Sequence, residues 1–253
     1  MVRYPPLLGP LSFGVAQDLE LVERPPGERK SRDTAIMIDL HTHTFASDGV
    51  LVPSELIRRA LVAGYRAIAI TDHADESNIE ELVEKAILAA DAWNEQGSIH
   101  VVPGIEITHV PPEKIAPMAA LARDLGARLV VVHGETITEP VAPGTNSAAV
   151  ACHDVDILAH PGLISSSDAK SAAENGVYLE ISARKGHAMA NGRVAFEALT
   201  ADAKLILNTD AHAPQDLIDV DWARTVLEAA GLNEEEVETA MRNSEELLEA
   251  VTE

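Results

Sequence analysis

From residue 36 onward, short apolar runs alternate with stretches in which apolar residues recur every three or four positions. The runs are Ile36–Leu40, Ala67–Ile70, His100–Val102 continued by Ile105 and Ile107, Leu129–Val132, Ile157–Ala159, Val177–Ile181 and Leu205–Leu207. Most are continuous rather than alternating, as strands buried on both faces should be. The stretches between them predict helices. Pro53 opens one carrying Leu56, Ile57, Ala60 and Leu61, which closes near Gly64. Ser77 and Glu80 have capping-box spacing, and Ile79, Leu82, Val83, Ala86, Ile87 and Ala90 follow at helical intervals until Gly97. Further helices are expected over Glu113–Leu125, Ser166–Asn175, Ala190–Ala203 and Ala213–Ala230. Asn233 is placed to cap a last one through Val237, Ala240 and Met241, with another turn at Glu245–Val251. The segment Thr136–Ala148, with its prolines and Gly144, reads as a long loop.

Repeated βα units imply an α/β fold with a parallel sheet and right-handed crossovers. Seven such units without a break favour a closed or nearly closed barrel over an open sheet. Residues 1–35 differ from this pattern: five acids balance five bases, and prolines and glycines recur up to Pro25-Pro26-Gly27. They read as an N-terminal extension or arm, partly ordered through Leu7, Leu8, Leu11 and Phe13, ahead of a single domain over 36–253.

Composition narrows the functional classes. Hydrophobic residues make up 46% and charged residues 24% of the 253, a globular balance that excludes wholesale disorder. No apolar stretch is long enough for a membrane span, and the prolines near the start interrupt any signal-peptide pattern. A single cysteine excludes an internal disulfide framework and fits a reducing compartment, so a cytoplasmic location is expected. The formal net charge is −22, from 41 acids and 19 bases, which argues against gripping extended nucleic acid through a broad basic face.

The chemistry lies where the strands end. Polar clusters stand there in Asp39-Leu40-His41-Thr42-His43, Thr71-Asp72-His73, Gly104-Ile105-Glu106, Val132-His133-Gly134-Glu135, Ala159-His160-Pro161-Gly162, Glu180-Ile181-Ser182 and Asn208-Thr209-Asp210-Ala211-His212. In an α/β barrel the carboxyl ends of the strands form one rim, so these groups converge. Six histidines with Asp48, Glu106 and Asp210 suit divalent transition ions such as zinc, manganese or iron. A lone histidine at a strand end is usually a hydrogen-bonding residue, but five separate strand ends carrying His, Glu or Asp-x-His do not fit coincidence.

These residues closely resemble the PHP family, the polymerase and histidinol phosphatase domain. Asp39-Leu40-His41-Thr42-His43-Thr44 with Ser47-Asp48-Gly49 is similar to its first motif, and Thr71-Asp72-His73 to its second. Ala159-His160-Pro161-Gly162 matches the third and Asp210-Ala211-His212 the fourth, while Gly104-Ile105-Glu106 and Val132-His133-Gly134 match its glutamate and histidine strands. The resemblance covers about residues 36–250 and implies a distorted seven-stranded (β/α)7 barrel with its metal site at the carboxyl ends of the strands. It also implies three ion sites: His41, His43, Glu106 and Asp210; bridging Glu106 with His133 and His160; and Asp48, His73 and His212. Asp48 stands where some relatives have histidine. Glu106, Asp210 and His212 are the expected catalytic residues.

The expected activity is hydrolysis of a small phosphate monoester by a hydroxide bridging two of two or three divalent ions. Arg184, Lys185 and His187, after the Glu180 strand, are candidate substrate-binding residues, and Arg184 is suited to bidentate phosphate contact. Glu180 is a candidate for orienting a ligand histidine. His109 is a further candidate for the bowl, whereas His100, His153 and Cys152 have no expected role. Two rival readings use the same residues: a phosphodiesterase or exonuclease acting on short nucleic acid, and a non-catalytic metal-binding subunit of an RNA-processing assembly. Aromatic residues at 3% leave little to stack bases, and an intact ligand set is not what a retired site should keep. Substrate identity, native metal and oligomeric state are not legible.

Overall fold

The computed structural model describes residues 36–252; the expected extension over 1–35 lies outside the described residues. Each apolar run becomes a strand. β1 (Met37–Asp39), β2 (Tyr65–Ile70), β4 (His100–Ile107), β5 (Leu129–His133), β6 (Ile157–Ala159), β7 (Tyr178–Ser182) and β8 (Leu205–Asn208) pair side by side in that order, all in parallel. They form a nearly closed barrel. The second run does not end at Ile70, because the chain steps sideways and resumes as β3 (His73–Ala74), which continues the pairing to β4. That step re-aims His73 opposite Glu106.

Between strands lie α1 (Pro53–Val62), α2 (Ile79–Asn94), α3 (Pro112–Leu125), α4 (Thr145–Val150), α5 (Ser166–Asn175), α6 (Asn191–Ala201), α7 (Val220–Ala229) and α8 (Glu234–Thr252). Four sequence expectations need correction. Ser77 does not cap α2: its N–H and hydroxyl donate instead to the nearer Asp75 Oδ1, at 2.7 and 2.6 Å. The helix expected from Ala213 starts only at Val220, where Asp219 accepts the Trp222 N–H at 2.8 Å. The loop expected over Thr136–Ala148 gives way to α4 at Thr145, its start held by Glu135 Oε1, which accepts from Gly144 and Asn146. The last two helical pieces are one helix, α8. Asn233 and Glu236 make reciprocal backbone bonds of 3.1 and 2.7 Å at its start, the capping role assigned to Asn233.

The core has two layers. Helix faces such as Leu56, Ile57, Ile79, Val83, Ile115 and Met118 pack on the outward side chains of the strands, including Ile68, Val101 and Val130. Inside the barrel are Ile38, Leu40, Ala67, Ala69, Val102, Leu129, Val131, Ile157 and Ile206, joined by Leu247, Leu248 and Val251 of α8. Each fully buried aliphatic side chain contributes about 1.5–3 kcal/mol through removal from water.

Polar groups close the seam between β1 and β8. The Leu40 N–H donates to Asn208 Oδ1 at 2.9 Å. Asp39 accepts from the Thr209 N–H at 3.1 Å and from its hydroxyl. Just above, the His43 N–H donates to the Ala211 carbonyl at 2.9 Å, and Thr42 bridges Ala211 in parallel. No helix among the described residues is long and apolar enough to cross a membrane.

Candidate metal centre

Alternate side chains on an extended chain face the same way, so His41 and His43 lie together, their ring centroids 5.0 Å apart. β1 ends at Asp39, but the chain runs on beside β8 to the barrel mouth, with Thr42 bridging Ala211. Glu106 comes from β4, His133 is the last residue of β5, and His160 and Asp210 follow β6 and β8. His160 and Asp210 have positive φ, 27° and 53°. Non-glycine residues hold such backbone only where the surroundings enforce it, often at functional sites. Gly134 is fixed by space: a Cβ there would meet the Ala159 carbonyl oxygen at 2.3 Å.

The side chains gather in three groups around buried Glu106. His41 Nε2 is 3.3 Å from Glu106 Oε1, and His43 Nε2 is 3.2 Å from Asp210 Oδ1 and 3.8 Å from Glu106 Oε2. His160 Nε2 stands 3.6 Å from Glu106 Oε1, and His133 completes that group. Asp48 Oδ1 lies 3.3 Å from His73 Nε2 and 3.0 Å from His212 Nε2, with His43 beside them. In each of these sets one ligand atom per residue lies within 4.8 Å of the others: His41, His43 and Glu106; Glu106, His133 and His160; His43, Asp48, His73 and His212. These sets hold eight of the nine expected metal-site residues, with His43 between the first and third groups, and Asp210 joins them 3.2 Å from His43.

The donor set fits divalent cations. His41 Nε2, both ring nitrogens of His43, Glu106 Oε1 and His160 Nδ1 are buried without a hydrogen-bond partner. Orphaned buried polar atoms are costly, and three of these, His41 Nε2, His43 Nε2 and Glu106 Oε1, lie close enough to be satisfied by a cation. The electrostatics agree. Burial favours a neutral Glu106, but the flanking His41, His73 and His133 outweigh it and hold its carboxyl well below the usual range. Burial likewise opposes charge on His73, yet Glu106 and Asp48 raise its pKa to about 10. Burial and the His73 charge lower His43 to about 4. Asp210 is pulled down against burial by His41, His43 and His160.

A ring of buried partners holds these groups. Glu180 Oε2 lies 2.7 Å from His41 Nδ1 and accepts from Asn208 Nδ2 at 3.0 Å, so Glu180 orients a candidate ligand as expected. Asp72 accepts from the Thr44 N–H and hydroxyl at 2.7 and 2.6 Å and from the Ser47 hydroxyl, fixing the loop that carries Asp48. Nearer the surface, Asn78 Nδ2 donates to the His73 carbonyl at 3.0 Å, and Asn78 Oδ1 accepts from the N–H of the exposed Asp75.

Above this floor opens a cavity of about 250 Å³ lined by Asp48, His73, His133, His160, Asp210, His212, Arg184 and His187, among others. The Arg184 guanidinium donates to the Asp210 carbonyl at 3.0 Å and stands 3.6 Å from its carboxylate. His187 is buried, stacked on His160 with centroids 4.1 Å apart, and its Nδ1 lies 2.7 Å from the Thr136 hydroxyl. Burial and the neighbouring His160 lower His187 to about 4. Lys185 is exposed and does not line the cavity. His109 does line it. Glu139, which the sequence reading missed, also lines it: Oε2 is 3.1 Å from His133 Nε2 and 3.2 Å from His109 Nε2, and Oε1 is 3.5 Å from His187 Nε2. Its one signal in the sequence is that it is the sole acid of Thr136–Ala148.

Comparison with known proteins agrees with this geometry. An uncharacterized protein of Methanocaldococcus jannaschii is 50% identical over 218 residues, 84% of this chain and 99% of that protein. A 5'-3' exoribonuclease of Salmonella typhimurium is 38% identical over 76 residues, covering 30% of this chain and 24% of that enzyme. A chain of archaeal ribonuclease P, solved with mature tRNA, aligns with a TM-score of 0.62 at 17% identity, over 85% of this chain and 91% of its own length. Histidinol phosphate phosphatase of Lactococcus lactis, solved with zinc, L-histidinol and phosphate, aligns with a TM-score of 0.54 at 15% identity, over 78% of this chain and 94% of its own. At such identities the likeness to both structures is one of fold. The PHP domain profile matches residues 39–137, from the end of β1 through Ile137 beyond β5, and with the barrel and its strand-end histidines in place the chain belongs to the PHP domain family.

Proposed function

We propose that this chain is a metal-dependent phosphoesterase that hydrolyses a small phosphate monoester. The observation that carries the reading is the convergence of His41, His43, Asp48, His73, Glu106, His133, His160, Asp210 and His212 on three groups beneath one small cavity edged by Arg184 and His187. Two or three ions of zinc, manganese or iron held there would supply Lewis acidity and an activated water. The chain does the rest. Glu106 joins the first two groups and Asp210 draws His43 into the first. Arg184 presents its guanidinium to phosphoryl oxygens, replacing donation to the Asp210 carbonyl with charge-assisted bonds. Held neutral, His187 turns Nε2 toward the Glu139 and Asp210 carboxylates, at 3.5 and 3.7 Å, where it can hydrogen-bond a ligand in the cavity. That role suits holding phosphate better than protonating a leaving group. Lys185, exposed, is left with at most a long-range field.

The cavity volume and the −22 charge favour a small anion over a polynucleotide. The local identity to an exoribonuclease favours the diesterase reading, and one assay separates the two. Purified protein supplied with Mn, Zn, Fe or Mg is expected to release nitrophenol from p-nitrophenyl phosphate and not from its bis ester. The reverse preference would establish the diesterase, and inactivity on both, with ions bound, would support the binding-subunit reading.

A further inference from the structure

Around His133 a second set of donors faces outward. His133 Nδ1 lies 3.2 Å from the Gly134 carbonyl, which leaves Nε2 as its one free ligand atom. His133 belongs to two triads, and Nε2 is the atom it can offer to either. The inner one is Glu106, His133 and His160, all buried; the outer one is His109, His133 and Glu139, open to the mouth, and the atoms of each lie within 4.8 Å of one another. The outer rings are close, with His109 and His133 centroids 4.8 Å apart, and Glu139 Oε2 sits between their Nε2 atoms at 3.2 and 3.1 Å. Two imidazoles and a carboxylate are a sound transition-ion donor set.

One nitrogen lone pair serves one ion at a time, so the two triads cannot both be filled. We infer that His109 and Glu139 form an outer seat on which an incoming divalent ion is first held, and from which it passes to the inner triad as His133 keeps its grip. The inference rests on the metal-centre reading above. The geometry gives the ion a path with no fully unliganded step: water is shed to His109 and Glu139 at the rim, then exchanged for Glu106 and His160 below. A group that acts only on the path changes the rates of entry and exit together and leaves the equilibrium alone.

The test is zinc exchange in the full chain. Protein stripped by chelation is mixed with zinc, uptake is followed by competition with a chromophoric chelator, and release by excess EDTA. His109 and Glu139 are 40% and 38% exposed, so His109→Asn and Glu139→Gln should fold as the parent does, which circular dichroism checks. Both variants are expected to bind as many ions as the parent with the same affinity, while uptake and release of one ion slow by about tenfold. Parental rates in both variants would overturn the outer seat. So would loss of one ion at equilibrium, because His109 and Glu139 would then be permanent ligands. A parent chain that binds no zinc would instead remove the metal-centre reading itself.

Discussion

Asp39 belongs to none of the three groups, yet it stands fully buried one turn of chain from His41. Burial raises its pKa to about 6 from an ordinary 3.8, against the lowering effect of the Thr209 bonds. The folded protein therefore keeps its proton where the unfolded chain has lost it. Stability attributable to this group is highest below about pH 4 and falls as pH rises through 6, by on the order of 3 kcal/mol. Asp39→Asn should remove that slope, so its stability relative to the parent should climb between pH 4 and 6 in urea titrations; parallel profiles would refute the assignment. Arg184→Ala should raise KM for a monoester at least about tenfold with a smaller change in kcat, since its charged hydrogen bonds are worth about 1.5–3 kcal/mol. An unchanged KM would remove Arg184 from the pocket. At this scale the sequence was most legible where a residue type repeats at strand ends, as with His41, His43, His133 and His160. Glu139 escaped because a single acid in a connecting segment carries no spacing to read, and only folding brings it to His133.

The elements themselves were legible for a simple reason: strands buried on both faces must be apolar throughout, and helices packed on one face must be periodic. Details that depend on competition between near neighbours were not. Ser77 and Glu80 have the spacing of a capping box, but Asp75, two residues away, captures the Ser77 hydroxyl first. The break between β2 and β3 has no marker in Thr71-Asp72 either. It follows from Asp72 turning to serve Thr44 and Ser47 across the barrel mouth. Gly162 shows what such turns demand. Its φ is +61°, and a Cβ would lie 2.0 Å from the Glu135 carbonyl oxygen. Gly162→Ala should cost about 1–3 kcal/mol from backbone strain alone. It should also push the β5–α4 connection outward, seen as a lower melting temperature and faster proteolysis within Thr136–Ala148. A melting temperature equal to the parent's would show that the two connections do not touch.

The whole molecule carries its charge unevenly. Residues 228–253 hold nine acids and one base, whereas the strand ends are rich in histidine. On the proposed reading, an acidic body with a cation-loaded mouth would favour small anionic ligands over long ones. Chelators should therefore lower the melting temperature, and ions at a hundred times their dissociation constant should restore about 2.7 kcal/mol per site. Hydrogen exchange should report the same gain at the β1–β8 seam; protection unchanged by ions across residues 37–43 and 205–212 would place the ions elsewhere. The seam also divides the three groups. Its bonds join residues 168 to 170 positions apart. The first group takes His41 and His43 from one end of the chain and Asp210 from the other, and the third takes His212 with Asp48 and His73. The second draws on β4, β5 and β6 alone. The residues of the second group are thus all in hand without β8, whereas the first and third groups form only once β8 has closed on β1. Occupancy of the first and third groups would therefore report that the ring has closed, which occupancy of the second would not.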